Sequence, residues 1–487
     1  MLRKIRIALA AVFFAGLSLL FLDFTGLLHH WLGWMAKVQA LEAVLAINVV
    51  VIALLIVLTL VFGRIYCSVI CPLGVMQDLF GWIGKKSKKN RYSFSNEKKW
   101  LRYGMLGVFI VAFAAGVGSL VQLLAPYSAF GRIMTMIFQP LWKMGNNLLA
   151  SYAESIDSYA FYSVEVWMKS LPVLVIAGVT LVALFVLAWR NGRTYCNTIC
   201  PVGTVLSFMS RFSYLKIHFD TEKCRNCSLC TKNCKAACID FKNHTVDYSR
   251  CVVCGDCIKS CNFGALKYAP VRTVAKKEEE SGRRSFLLSS ALLTTAALAQ
   301  EAKKVDGGFA DLAEKVSPTR QTPLTPPGSL SLKNMETRCT GCQLCVSECP
   351  NHVLRPSNDL MHMMQPVMSY EHGFCRPECT RCSDVCPAGA IKPLDNIEKS
   401  SIQIGHAVWI KKNCIPVRDG VECGNCARHC PTGAIEMVAL NEDDDESPWI
   451  PAVNESTCIG CGACEYVCPA RPFSAIYVEG HETHHNI

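Results

Sequence analysis

Residues 339–350, Cys339-Thr340-Gly341-Cys342-Gln343-Leu344-Cys345-Val346-Ser347-Glu348-Cys349-Pro350, carry four cysteines at the spacing C-x2-C-x2-C-x3-C. The chain has 487 residues and 29 cysteines, and 24 of these cysteines fall into six groups of four. Four groups keep this spacing, and the other two lengthen only the first gap. The groups are Cys224, Cys227, Cys230 and Cys234; Cys251, Cys254, Cys257 and Cys261; Cys339, Cys342, Cys345 and Cys349; Cys375, Cys379, Cys382 and Cys386; Cys414, Cys423, Cys426 and Cys430; and Cys458, Cys461, Cys464 and Cys468.

The spacing of these groups indicates iron–sulfur chemistry. Three thiolates at this spacing hold one iron–sulfur cube, and the fourth reaches a neighbouring cube. A lone C-x2-C pair is also typical of zinc sites and of redox-active pairs, but six complete groups favour clusters. The sequence therefore predicts six [4Fe-4S] clusters, with these 24 cysteines as the metal ligands, in a chain that transfers electrons.

Four long apolar runs lie in the N-terminal part of the chain, at positions 5–24, 43–62, 103–124 and 171–189. Each has about the 20 residues that a helix needs to cross a bilayer. Residues 1–215 are therefore predicted to form an α-helical membrane domain with four transmembrane helices. Residues 63–102 contain nine lysines and arginines, whereas residues 125–170 contain three. Because basic loops stay in the cytoplasm, we expect a multi-pass inner-membrane protein whose N-terminus is cytoplasmic.

Two ferredoxin-like α+β modules are predicted after the membrane domain. The first module, residues 216–275, holds two cysteine groups and follows the fourth helix directly, so we expect it in the cytoplasm. The usual cross-over pairs Cys224, Cys227 and Cys230 with Cys261, and Cys251, Cys254 and Cys257 with Cys234. The second module, residues 333–487, holds the remaining four groups, and each of these ends in Cys-Pro.

The segment between the modules carries a targeting pattern. Residues 276–300 contain Arg283-Arg284 before an apolar stretch, which is typical of a twin-arginine export signal. A fifth short helix that anchors the chain is the alternative. Residues 301–332 are rich in proline and predict an extended linker. Residues 1–300 hold 33 basic and 15 acidic residues, against 16 and 24 in the remainder, so we expect the second module in a different compartment, the periplasm.

The membrane domain contains one motif twice. Gly63-Arg64-Ile65-Tyr66-Cys67-Ser68-Val69-Ile70-Cys71-Pro72 recurs as Gly192-Arg193-Thr194-Tyr195-Cys196-Asn197-Thr198-Ile199-Cys200-Pro201. Repeated helix pairs meet across a pseudo-twofold axis, so we expect Cys67, Cys71, Cys196 and Cys200, called here the cysteine quartet, to lie near one another. Four soft ligands can hold a further iron–sulfur cluster or another thiophilic metal, and buried reduced thiols are the alternative. Cys238 fits no group and is expected to have no role.

These motifs resemble two ferredoxin-type families. The N-terminal part of the chain, with paired C-x3-C-P motifs and a two-cluster ferredoxin, is similar to the membrane ferredoxin NapH. The remainder, with a twin-arginine pattern and the wide gap between Cys414 and Cys423, resembles the four-cluster ferredoxin family of NapG and MauM. The resemblance implies a quinol dehydrogenase-like membrane component that passes electrons to a periplasmic redox partner. The quartet would then be the electron port between quinol and the first module.

The resemblance also implies a pairing in the second module, which spacing alone leaves open. The outer groups would pair as Cys339, Cys342 and Cys345 with Cys468, and Cys458, Cys461 and Cys464 with Cys349. The inner groups would pair as Cys375, Cys379 and Cys382 with Cys430, and Cys414, Cys423 and Cys426 with Cys386. On spacing, pairing between neighbouring groups is the alternative.

Other classes of function remain open on the sequence. One is a copper reductase or an assembly factor for respiratory enzymes, and another is a membrane regulator that senses redox state. The chain has no C-x-x-C-H motif, and the only histidines of the membrane domain are the adjacent His29 and His30, so we expect no haem. Nothing resembles a nucleic-acid motif or a pocket for a terminal oxidant. The terminal acceptor is therefore an unidentified redox partner protein.

Overall fold

The computed structural model describes residues 2–86, 92–158, 160–270, 315–441 and 447–487 of the chain. The predicted twin-arginine signal or anchor helix at residues 276–300 lies outside the described residues, as does the first half of the predicted linker. Within the described residues, the protein consists of a helical section followed by two modules of short helices and two-stranded sheets.

The chain up to Ser210 is largely helical, because a helix satisfies the backbone hydrogen bonds of an apolar segment internally. The helices are α1 (Leu2–Leu22), α2 (Leu28–Lys37), α3 (Ala40–Leu45), α4 (Val49–Phe62), α5 (Tyr66–Val69), α6 (Pro72–Lys86), α7 (Lys99–Ala114), α8 (Gly118–Leu124), α9 (Pro126–Ile133), α10 (Gln139–Glu154), α11 (Leu171–Asn191), α12 (Thr194–Thr198) and α13 (Pro201–Ser210). A π-helical turn, Met134–Phe138, joins α9 to α10. The first and last predicted spans correspond to α1 and α11, and the short α5 and α12 carry the repeated motif.

Two helices of the described chain, α1 and α11, are long and apolar enough to cross a membrane, and the bent pair of Gly118–Leu124 and Pro126–Glu154 makes a third if it is one span. The structure therefore has two or three such spans where we predicted four. The second apolar run is interrupted at Ile47, whose φ is 54°, and Asn48 caps α4, which has only 14 residues. The third run is interrupted at Gly116, whose φ is 73°. Left-handed residues end helices and Asn N-caps begin new ones, and a count of apolar residues detects neither.

The first module packs two short helices against a small sheet. Strand β1 (Leu215–Phe219) pairs antiparallel with β4 (Leu266–Pro270), and β2 (Ile239–Asp240) pairs with β3 (Thr245–Val246). Helices α14 (Leu229–Asn233) and α15 (Asp256–Ser260) lie between these strands in the chain and contact each other. The module thus has the two-fold repeat expected of a two-cluster ferredoxin.

The second module is built in the same way but is larger. Its helices are α16 (Leu332–Arg338), α17 (Leu344–Glu348), α18 (Arg381–Val385), α19 (Asn396–Ser401), α20 (Ile415–Arg418), α21 (Asn425–Arg428) and α22 (Ala463–Val467). Its strands are β5 (Leu354–Pro356), β6 (Pro366–Met368), β7 (Ile402–Trp409), β8 (Ile435–Ala439), β9 (Trp449–Val453) and β10 (Ile476–Asn486). The pairs β5–β6, β7–β10 and β8–β9 are all antiparallel.

Residues 315–331, called here the strap, lie against the second module and do not extend freely. Arg320 forms a buried ion pair with Glu465, with 2.7 Å between Nη2 and Oε1, and its Nε donates to the carbonyl of Val478. Thr325 is buried, and the backbone N–H of Met368 donates to Leu324. These residues, which belong to the second half of the predicted linker, therefore contribute to the core of the module.

The two modules contact opposite ends of α1. At its N-terminal end, Arg3 forms an ion pair of 2.6 Å with Asp256 of the first module. At its C-terminal end, the amide of Gln139 donates both to the carbonyl of Phe21 and to that of Ser347 in the second module. A helix of 21 residues is about 31 Å long at 1.5 Å per residue, so about one bilayer thickness separates these contacts.

Candidate functional site: six thiol sites and a cysteine quartet

Four cavities of the described chain are each lined by four cysteines from the six sequence groups. Each contains between about 270 and 370 Å³ of empty space, including space open to solvent. The sites are site A, Cys224, Cys227, Cys230 and Cys261; site D, Cys375, Cys379, Cys382 and Cys349; site E, Cys414, Cys423, Cys426 and Cys468; and site F, Cys458, Cys461, Cys464 and Cys430. In every case three cysteines come from one group and the fourth from a neighbouring group. Cavities lined in this way fit a cubane cluster.

The remaining eight cysteines of the six groups divide into two more sets, each with three cysteines of one group and the fourth of its neighbour, and the helices of these neighbouring groups contact each other. Burial raises the pKa of the Cys345 thiol well above its usual value, and charge on Cys342, Cys339 and Cys386 raises it further. In the first module, burial likewise raises the pKa of Cys257, followed by charge on Cys254, Cys234 and Cys251. These sets are site B, Cys251, Cys254, Cys257 and Cys234, and site C, Cys339, Cys342, Cys345 and Cys386.

The arrangement of the second module differs from the pairing that the resemblance implied. Cys386 approaches site C and Cys349 lines site D, so the first two groups exchange their fourth cysteines. Cys468 lines site E and Cys430 lines site F, so the last two groups do the same. The physical reason is helix packing, because α17 contacts α18 and α21 contacts α22. Each neighbouring pair of groups thus forms a unit like the first module, in which α14 contacts α15.

The two units of the second module meet at sites D and F. The backbone N–H of Cys375 donates to the carbonyl of Cys461 across a distance of 2.9 Å. Burial raises the pKa of Cys461 to about 12, and Cys375 is among the groups whose charge raises it further. Sites C, D, F and E therefore follow one another through the module.

Cys238, which we expected to have no role, lies at site B. Its sulfur is 3.5 Å from that of Cys234, and its side chain is 1% exposed. Site A, in contrast, is open at one edge, because Cys227 is exposed. The sequence did not reveal the position of Cys238, because the group from Cys224 to Cys234 is already complete without it.

The cysteine quartet comes together as expected, directly after the ends of α4 and α11. All four thiols are buried, between 3% and 4% exposed. Burial raises the pKa of Cys200 well above its usual value, and charge on Cys196, Cys71 and Cys67 raises it further. The two repeats interlock: Arg64 donates to the carbonyl of Cys196 at 3.1 Å, and Arg193 donates to that of Cys67 at 2.6 Å.

Donors surround the sulfur atoms of the quartet. The amide of Gln77 donates to Cys196 at 3.2 Å, and the backbone N–H of Gly203 donates to Cys200 at 3.3 Å. The guanidinium of Arg64 lies 3.8 Å from the sulfur of Cys67. A Cβ added at Gly203 would collide with the carbonyl of Cys196 and approach Arg64 within 2.9 Å, so this position requires glycine. The donor set fits sulfur ligands that carry negative charge.

The two arginines of the repeated motif differ in their partners. Arg193 is paired with Asp78, with 2.7 Å between Nε and Oδ1. Arg64 is 0% exposed and binds Asn197, two backbone carbonyls and the sulfur of Cys67, but no carboxylate of the described residues. A buried cation requires a compensating negative charge. Among the groups in contact with Arg64, the sulfur of Cys67 is the one that can supply it.

Several residues around the quartet were missed by sequence reasoning. The hydroxyl of Tyr66 donates to Gln39, and that of Tyr195 donates to the carbonyl of Leu124. The two tyrosines occupy the same place in the repeated motif, so the repeat itself was the signal that could have identified them. Within the described residues, no three His, Cys, Asp or Glu side chains form a group that could hold a single metal ion. A cubane cluster differs in this respect, because its four thiolates bind four different irons.

Comparison with known proteins gives matches in both parts of the chain. The family described as "4Fe-4S binding domain" matches residues 44–90 and 172–219, and the family described as "4Fe-4S dicluster domain" matches residues 338–403 and 421–471. The methylamine utilization ferredoxin-type protein MauM of Methylobacillus flagellatus is 33% identical over 167 residues, which cover 33% of this chain and 70% of that protein. MauM of Methylorubrum extorquens is 31% identical over 169 residues, or 32% of this chain and 72% of that protein. The ferredoxin-type protein NapG of Escherichia coli is 29% identical over 186 residues, or 35% and 78%.

Proposed function

The chain belongs to the family of ferredoxin-type proteins that includes MauM, and on this basis we propose that it takes electrons from a quinol in the membrane and passes them through [4Fe-4S] centres to a redox partner protein. Its role as a ferredoxin-type iron–sulfur electron-transfer protein follows from the family. The quinol, the six centres and the membrane topology are the proposal. The four cavities lined by four thiols each carry it most directly.

Sites A to F are the proposed cluster ligands, and the protein around them keeps water away. Ten of their 24 thiols are buried, 13 are half-buried and Cys227 is exposed, and backbone N–H groups donate to several sulfurs, as Ala475 does to Cys468 at 3.2 Å and Ala265 does to Cys261 at 3.3 Å. A bound cluster supplies a centre that gains or loses one electron without a change in its ligands. The residues therefore need only to hold the sulfurs, shield them and set the potential through hydrogen bonds.

Membrane association and sidedness form the second part of the proposal. We propose that the membrane section resembles NapH, with the first module in the cytoplasm and the second in the periplasm. Two apolar helices, α1 and α11, and the bent pair support a membrane section. The contacts of the two modules with opposite ends of α1 support opposite sides. The basic residues at the N-terminal end, such as Arg3 and Arg6, support a cytoplasmic position for that end.

The quinol part of the proposal needs polar groups inside the membrane section. Gln39, Glu42 and Gln122 are each at most 1% exposed, and one carboxylate oxygen of Glu42 has no hydrogen-bond partner in the structure. Ionisable groups inside a membrane protein usually belong to a substrate or proton pathway. Glu42 is our candidate for the group that takes a proton from the quinol.

We also propose that the quartet holds a metal centre. The matched range 44–90 contains Cys67 and Cys71, and the range 172–219 contains Cys196 and Cys200, whereas neither range reaches any cysteine of sites A to F. The family that matches these ranges is described as a 4Fe-4S binding domain. The uncompensated charge of Arg64 supports an anionic centre at the same place.

The test is iron content and quinol-driven reduction of the purified protein. Six cubes require about 24 irons per chain, and a cluster at the quartet would raise this number to about 28. We expect a menaquinol analogue to bleach the visible absorption of the clusters. Anaerobic protein that is folded but holds eight irons or fewer would refute the cluster assignment, and undiminished reduction after Glu42→Gln would remove Glu42 from the quinol site.

Sidedness is tested with single introduced cysteines in intact cells. Ile397 of the second module is 82% exposed and Asn243 of the first module is exposed, whereas Thr325 is buried and unsuitable. An impermeant thiol reagent is expected to label Ile397→Cys from outside and to label Asn243→Cys only after the cells are opened. Labelling of both positions from the same side would contradict the proposed topology.

A further inference from the structure

We propose that the cysteine quartet connects the two modules electronically, so that the chain carries electrons across the membrane as well as taking them from quinol. The inference rests on the proposed function for sites A to F as cluster ligands and for the quartet as a metal centre. It goes further because it assigns the quartet a second neighbour. The sequence suggested that the quartet passes electrons to the first module alone. In the structure, hydrogen bonds of the quartet and of the residues next to it extend toward both modules.

Short contacts lead from the quartet to site B of the first module. Arg64, which touches the sulfur of Cys67, donates through Nη1 to the carbonyl of Ser249 at 3.0 Å. Ser249 stands two residues before Cys251 of site B. In the other repeat, the backbone N–H of Arg193 donates to the carbonyl of Lys235 at 2.9 Å, and Lys235 directly follows Cys234 of site B.

Equally short contacts lead from the quartet to site C of the second module. Tyr195, the residue before Cys196, donates through its hydroxyl to the carbonyl of Leu124 at 3.2 Å. Leu124 ends α8, and on the same helix the amide of Gln122 donates to the carbonyl of Cys339 at 3.3 Å. Two hydrogen bonds and the two-residue step from Leu124 to Gln122 thus separate the residue next to Cys196 from a proposed ligand of site C.

The second module reaches deep into the membrane section at this point. The hydroxyl of Ser128 donates to the carbonyl of Thr340 at 2.5 Å, and both side chains are at most 1% exposed. A Cβ added at Gly131 would collide with the carbonyl of Cys342, so α9 and the loop of site C are in direct backbone contact. Glycine at 131 allows this close approach, and it brings site C toward the centre of the membrane section.

The positive charges around the quartet favour a centre that is transiently reduced during electron transfer. Arg64 and Arg193 lie beside it, fully buried, and Asp78 compensates only one of them. Each transfer would move one electron and no proton: a centre held by the cysteines of site B would be oxidised, one held by those of site C would be reduced, and the quartet would pass the electron between them. The electron enters site A from a one-electron donor on the side of the first module, for which dithionite serves in the test.

The test uses sealed proteoliposomes of the intact protein without quinol. External dithionite is added, and the fraction of cluster absorption that bleaches is measured before and after detergent opens the vesicles. In the unaltered protein, all clusters should bleach before detergent is added, whichever way the protein faces. In the double variant Cys67→Ser, Cys196→Ser, only the outward-facing module should bleach, between about one third and about two thirds of six clusters depending on orientation.

The controls separate this inference from the proposed function. Ser68 lies next to Cys67 but outside the quartet. In the Ser68→Ala variant, all cluster absorption should therefore bleach before detergent is added. The double variant must reach full bleaching in detergent with its six clusters counted by iron, which establishes that both modules are loaded. Incomplete bleaching of the unaltered protein, or full bleaching of the loaded double variant, would overturn the inference. Neither result affects quinol-driven reduction in detergent, which tests the proposed function independently.

Discussion

The pairing of the second module can be decided by counting iron in single and double variants. Cys342→Ala and Cys386→Ala each remove one ligand. In the structure both thiols belong to site C, whereas the pairing implied by the resemblance assigns them to different clusters. The iron losses caused by two changes within one site should not add, whereas those caused by changes in two independent sites should add.

The expected magnitudes follow from the number of irons in one cube. Each single variant should lose about four irons per chain, and the double variant should also lose about four, because the second change acts on a site that is already empty. The control is the double variant Cys342→Ala, Cys468→Ala, which affects sites C and E and should lose about eight irons. Iron and sulfide are measured after anaerobic purification and compared with visible absorption.

The result that would refute this reasoning is the reverse pattern. A loss of eight irons for Cys342→Ala with Cys386→Ala, together with a loss of four for Cys342→Ala with Cys468→Ala, would restore the outer pairing. If every single variant lost all the iron of the module, the comparison would be repeated with Cys→Ser changes, since serine oxygen is also able to bind iron. A module whose iron is lost in one step with these variants too would not consist of two separate units.

Three further predictions follow from buried charges and close packing. Asp78→Asn should lower stability by about 3–5 kcal/mol, because it leaves buried cations without their partner. Burial raises the pKa of Asp78, but the neighbouring cations outweigh it and hold this pKa below its usual range. The stability that Asp78 contributes is therefore present above the pKa of the unfolded carboxyl and is lost as pH falls toward the lowered pKa. Melting temperatures between pH 3 and 7 measure both effects, and Asp78→Asn should flatten the dependence of melting temperature on pH. Gly462→Ala should lose the iron of site F, because Gly462 has φ +78° and an added Cβ would meet the Tyr370 ring. The control Gly424→Ala has room for the added Cβ and should keep this iron. Equal iron in both variants would contradict the prediction. Arg320→Ala should cost about 3–5 kcal/mol and expose the strap to proteinase K, and an unchanged digestion pattern would show that the ion pair does not hold it.

How much of the site could be predicted depends on whether the relevant information is local. The spacing of the cysteines within each group is set by a tight turn around one cluster, so the groups could be read directly from the sequence. The repeated motif likewise predicted that the quartet would come together, because two equal segments pack across a pseudo-twofold axis. Tyr66 and Tyr195 were in the same motif and were overlooked only because no chemistry was expected of them.

The number of membrane spans was only partly accessible from hydropathy. Residues 5–24 and 171–189 correspond to α1 and α11, whereas the runs at 43–62 and 103–124 are interrupted. A single left-handed residue, such as Ile47, interrupts the helix without changing the mean hydropathy of the run. Such breaks are favoured where a side chain satisfies the freed backbone, as the amide oxygen of Asn48 does for the N–H of Val51.

By itself, the sequence determined the chemistry of this protein: six groups of thiols, a repeated cysteine pair and an apolar section, each specified by residues close together in the chain. Only the tertiary structure decided which fourth cysteine joins which site, because that depends on the packing of α17 on α18 and of α21 on α22. It also decided that Gln122 of the helical section meets Cys339 of the second module, although 217 positions of the chain separate them. Contacts over such distances arise from the docking of whole elements, which no local spacing encodes.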